Sequence, residues 1–100
     1  VHHVGGHTQG LQVVRVWTKV GWIVLASDAS HYYENMNDDR PFVIVWNQGE
    51  MLDAFRTMRR LADHPDCIVP GHDPQVFDRY PAVDGHAGAV IRLDVKPTIK

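Results

Sequence analysis

Apolar residues along this chain fall into runs whose spacing changes from segment to segment. Leu11 to Trp17 (LQVVRVW) and Trp22 to Ala26 (WIVLA) are rich in β-branched and aromatic side chains. With Thr18-Lys19-Val20-Gly21 between them, they predict an antiparallel hairpin. The run Ile23 to Ala26 predicts a strand buried on both faces. From His31 to Gln48 the pattern is irregular: Asn35 to Asp39 and Pro41 mark a loop, and Phe42 to Trp46 (FVIVW) is a short apolar segment. A loop this long in a small domain is often functional.

A helix is predicted next. Asn47 stands at its cap with Glu50 in capping-box position, and Met51, Leu52, Phe55, Met58, Leu61 and Ala62 recur at helical spacing until His64-Pro65. Cys67-Ile68-Val69 predicts a short strand stopping at Pro70-Gly71-His72-Asp73. Ala89, Ile91, Leu93 and Val95 alternate with Val90, Arg92 and Asp94, which predicts a last strand with one face turned to the core. Two strands, a helix and two more strands give a layered α/β arrangement, a single domain over residues 1–100.

Composition narrows this little. A chain of 100 residues removes roughly two-thirds of its unfolded surface from water, enough for one modest core. A net charge of -2 gives no general attraction to nucleic acid or anionic lipid. Arg56, Arg59 and Arg60 cluster, but Asp53 and Asp63 sit among them, as on the solvated face of a helix. No apolar run approaches membrane-spanning length, and the amino terminus lacks a signal-peptide pattern. Cys67 is the only cysteine, so a buried structural thiol in a reducing, cytoplasmic compartment is expected. The chain starts at Val1, as a piece of something longer would.

The candidate chemistry sits in three segments of one design, each an apolar strand or glycine turn followed at once by a metal-competent side chain. They are Val4-Gly5-Gly6-His7-Thr8-Gln9-Gly10, Leu25-Ala26-Ser27-Asp28-Ala29-Ser30 and Ile68-Val69-Pro70-Gly71-His72-Asp73-Pro74. Strands fix an end point rigidly, and a glycine beside a ligand lets backbone approach closely. Imidazole suits zinc and similar ions, and a carboxylate can bridge two of them. Taken singly, each segment also reads as a turn residue or a cap. His64 is expected to assist the last carbonyls of the helix and His86 to lie in a surface loop; His2 and His3 carry no assigned role.

In this order and separation, GGHTQG, LASDASHYYEN and IVPGHDP resemble the carboxyl-terminal half of the metallo-β-lactamase superfamily, nearest to its N-acyl-homoserine lactonase-like branch. The resemblance runs from about His3 to Pro81. It implies the matching half of an αβ/βα sandwich, with a mixed β-sheet and a helix packed on one face. It further implies two zinc ions, with His7 on the first, Asp28 bridging both and His72 on the second. A metal-bridging hydroxide would then attack the carbonyl of a small-molecule lactone or ester, as in quorum quenching. A tyrosine shortly after the bridging aspartate donates to the developing oxyanion in that branch. Here His31 stands at the usual spacing, followed by Tyr32 and Tyr33, so His31 or Tyr32 is expected to take that part.

The family's HxHxDH motif does not occur in these residues, so the chain is expected to supply only part of a dinuclear site. Its uncovered apolar face is expected to drive association, homo-oligomeric or otherwise. A glyoxalase II-type thioesterase and a non-catalytic α/β module, in which the motifs are only turns, are the competing readings.

Overall fold

In the computed structural model, which describes residues 1–99, strand formation begins at His2 and follows the β-branched runs. Strands β1 (His2–His3), β2 (Gln12–Thr18) and β3 (Gly21–Ser27) form an antiparallel meander. Strand β4 (Ile68–Pro70) adds to β3 in parallel, completing a mixed sheet in the order β1-β2-β3-β4. His2 and His3, for which the sequence indicated no role, are the edge strand. The predicted hairpin forms with Thr18 opposite Gly21, whose φ of 105° suits only glycine. The Thr18 hydroxyl closes the turn by donating to the Gly21 carbonyl at 2.9 Å.

Helix α1 (Tyr33–Asn37) and helix α2 (Gln48–Leu61) follow β3, and helix α3 (Gln75–Arg79) follows β4. α2 packs on β3 and begins where expected, with the Asn47 side chain accepting from the Glu50 backbone at 2.9 Å. The Asn47 N–H goes to the Gly6 carbonyl at 3.0 Å, so the cap also ties α2 to the loop before β2. Met51, Ala54, Phe55 and Met58 carry the buried stripe of α2 against Val13, Val24, Ala26 and Ile68. The reverse face of the hairpin is less covered, leaving Val14 and Val16 about 40% exposed, at 40% and 41%.

Four expectations need correction. The irregular stretch after His31 contains α1, a helix too short to declare a period. It forms because Asn35 accepts from the Tyr32 N–H at 2.9 Å and because Tyr33 and Met36 are buried. α3 was likewise unmarked in the pattern. The strand predicted over Ala89 to Val95 reduces to a single bridge, Ala82 with Ile91. Its alternation does put Ile91 and Leu93 against the core. The short segment beside it starts at Pro81, which lacks an N–H, and turns away through left-handed Gly85, Ala87 and Gly88. Finally, His64 does not serve the end of α2; its Nδ1 accepts from the Asp66 N–H at 3.1 Å in the turn Pro65–Cys67 leading to β4.

Candidate metal centre

Parallel pairing of β3 with β4 brings the ends of two sequence-distant strands to one rim. Val24 lies opposite Ile68 and Leu25 opposite Val69, after which the register slips and Ser27 meets Pro70. The slip coincides with Ser27 at φ 51°, a left-handed conformation uncommon for serine. Gly71 fits against it closely: a Cβ there would stand 2.5 Å from the Ser27 carbonyl oxygen. Beyond the strands the ladder continues, with Gly71 N–H donating to the Ser30 carbonyl and His72 N–H to the His31 carbonyl, each at 2.9 Å. Asp28, His31 and His72 are thus fixed to one another through main chain.

His7 arrives from the opposite side. Gly5 and Gly6 are left-handed, at φ 66° and 96°, and Gly6 lies so close to Met51 that a Cβ would be 2.7 Å from the Met51 Cα. The His7 carbonyl accepts from Trp46 N–H at 3.1 Å, which bolts this loop to the entry of α2.

Three imidazoles therefore surround one carboxylate. His72 Nε2–H donates to Asp28 Oδ1 at 2.8 Å; His31 Nε2 stands 3.4 Å from the same oxygen, and His7 Nε2 3.6 Å from Oδ2. One donor atom from each of His7, Asp28 and His31 lies within 4.8 Å of the others. His31 is packed edge-on against His7 and His72, with centroids 5.3 and 4.4 Å away. Burial pushes its pKa below the ordinary histidine value, His72 and His7 act in the same direction, and the Asp28 carboxylate opposes them. The shift favours the neutral imidazole, the form that binds metal.

His7, Asp28, His31 and His72, all singled out from the sequence, converge. Tyr32 stands beside the cluster, half exposed, its ring centroid 6.5 Å from that of His31. Sequence reasoning missed Phe42, which stacks on His31 at 3.8 Å with 20° between planes and meets His7 edge-on at 5.7 Å. Its position at the head of the apolar run after the Asn35 to Pro41 loop was the available signal. Asp73 was missed as well. It is buried, accepts from Tyr33 N–H at 3.0 Å and Gln75 N–H at 2.9 Å, and so joins the starts of α1 and α3 behind His72.

The donor set fits a divalent ion. Nitrogen and oxygen ligands of this kind are those of zinc sites, and among the described residues the buried His7 Nδ1 has no protein partner while its Nε2 faces the carboxylate. Cys67 takes no part; it is buried, and burial raises its pKa.

No protein-family model and no curated protein sequence matches the chain. Solved structures do. An N-acyl homoserine lactone hydrolase with the product N-hexanoyl-L-homoserine bound at its catalytic metal center is 25% identical with a TM-score of 0.64, over 76% of this chain and 31% of that one. A mutant of B. thuringiensis AiiA with N-decanoyl-L-homoserine bound at the active site gives the same figures, 25%, 0.64, 76% and 31%. A quorum-quenching N-acyl homoserine lactone hydrolase is 26% identical with a TM-score of 0.63, over 74% of this chain and 31% of that one. This chain thus has the metallo-β-lactamase-like fold of the lactonases its motifs resemble, and spans about three-tenths of their length.

Proposed function

We propose that the protein is a metal-dependent hydrolase that opens the ring of an N-acyl-homoserine-lactone-type substrate. The observation that carries this reading is the meeting of His7, Asp28 and His72 from three separate segments at one rim of a lactonase-like fold. His7, Asp28 and His72 would be this chain's ligands in a two-zinc site; the HxHxDH ligands of the resembled family do not occur in these 100 residues. When bound, such ions would supply an acidified water and a polarised carbonyl at neutral pH.

The chain's own residues hold that chemistry in place. Asp28, at a rigid strand end, offers one oxygen toward His7 and the other toward His31 and His72, so both faces of the carboxylate are engaged. Tyr32, half exposed with its ring 6.5 Å from that of His31, would donate its hydroxyl hydrogen bond to the substrate carbonyl oxygen as negative charge develops there. Phe42 shields one face of His31 from water. Addition of water across the carbonyl breaks the ring C–O bond and yields a hydroxy acid.

The reading is tested with the longer protein loaded with zinc, measuring ring opening of an acyl-homoserine lactone by proton release. Asp28→Ala is expected to lower turnover at least about a hundredfold; unchanged turnover would remove Asp28 from the site. Faster turnover of a thioester than of the lactone would favour the glyoxalase II-type alternative.

A further inference from the structure

The spacing of donor atoms around Asp28 divides the three imidazoles into two kinds. His72 approaches at 2.8 Å, the length of a direct hydrogen bond. His31 and His7 stop at 3.4 and 3.6 Å from the two carboxylate oxygens, too far for such a bond. Two ligand atoms each about 2.1 Å from a tetrahedral ion stand roughly 3.4 Å apart. The two gaps, one to each carboxylate oxygen, are near that length, and one donor atom from each of His7, Asp28 and His31 lies within 4.8 Å of the other two, close enough to gather around a single ion. Among the described residues, neither His7 nor His31 makes a side-chain hydrogen bond within the usual distance, whereas His72 does.

From this we propose that His31 is a metal ligand, and that His7, Asp28 and His31 form a three-residue site binding one divalent ion within this chain alone. The inference rests on the metal-hydrolase reading but assigns His31 a task that reading does not need. It explains why the ring is held so firmly. The His31 carbonyl is pinned by His72 N–H at 2.9 Å, Ser30 beside it is fully buried, and Phe42 stacks on the ring at 3.8 Å. A hydrogen-bond donor for a variable substrate tolerates more freedom than a ligand does. It also leaves the fourth position of a tetrahedral ion open to water or substrate.

The test is titration of the metal-free chain with Co(II), followed by its visible absorption and calorimetry, with His31→Gln and His72→Gln in parallel. Glutamine retains a hydrogen-bond donor but is a poor ligand, so it separates the two roles. H31Q is expected to weaken cobalt binding at least about thirtyfold and to shift the absorption bands, and H72Q to weaken it less than about fivefold. Wild-type-like binding by H31Q overturns the assignment and leaves the hydrolase reading standing. Absence of binding by the wild-type chain at millimolar cobalt overturns it too, and the lactone assay on the longer protein then decides the hydrolase reading separately. Should H31Q fail to fold, by circular dichroism, the proton NMR spectrum of cobalt-loaded H72Q decides. Two shifted, exchangeable ring N–H signals are expected, and a single one overturns the proposal.

Discussion

Replacing Gly71 with alanine tests whether the register slip at the end of β3 builds the metal centre. A Cβ at this position would stand 2.5 Å from the Ser27 carbonyl oxygen, 2.8 Å from its carbonyl carbon and 3.3 Å from its Cα. The closest contact is roughly 1 Å inside normal van der Waals separation. These are main-chain atoms of a residue already at φ 51°, and they cannot swing aside as a side-chain tip would. The two strand ends must part, straining the Gly71 N–H to Ser30 bond of 2.9 Å and drawing His72 away from Asp28. Overpacking of this kind costs about 1–3 kcal/mol, and contact with main chain places it at the upper end. For a domain of this size that lowers Tm by about 10–20 °C. The assay is thermal unfolding by circular dichroism with chelator and with zinc, using Gly10→Ala as the control. A Cβ on Gly10 meets nothing within 4 Å. If G71A melted with G10A and bound metal as tightly as the unaltered chain, the close approach of Gly71 to Ser27 would not be what assembles the site.

Asn47→Ala removes the acceptor for the Glu50 N–H and is expected to cost about 1 kcal/mol, read as a lower urea midpoint at unchanged slope. Phe42→Leu removes the stack on His31, worth about 0.5–1.5 kcal/mol, and should lower Tm by about 2–10 °C and weaken cobalt binding about three- to tenfold; equal affinity would deny Phe42 a positioning role. Because the His31 pKa lies below its ordinary value in the fold, the unfolded chain binds more protons in the window between the two values. The metal-free chain should therefore lose stability as pH falls below about 6.5, and His31→Gln should flatten that loss. Identical pH profiles for the two, from urea unfolding, would contradict it.

Local chemistry determined much of this protein before any folding. β-branched runs around a glycine turn dictated the β2–β3 hairpin, and the Asn47 cap with a stripe from Met51 to Leu61 dictated α2, because hydrogen bonding and burial there depend on near neighbours. The segments around His7, Asp28 and His72 were legible as strand ends and glycine turns carrying polar side chains, and those side chains do meet. What lay beyond the sequence was set by partners distant along the chain. α1 and α3 are each five residues long and rest on Asp73, which accepts from Tyr33 and Gln75 across the fold. The alternation from Ala89 to Val95 specified which side chains turn inward, but a strand needs a continuous neighbour, and Pro81 with the left-handed turn at 85–88 denies it one. The site divides the same way. The sequence placed Asp28 at the end of an apolar strand. Only the parallel pairing of β3 with β4 set His72 at 2.8 Å from Asp28 and His31 at 3.4 Å, and only the loop holding Phe42 determined how His31 is held. Those distances arise from backbone register, which no local pattern encodes.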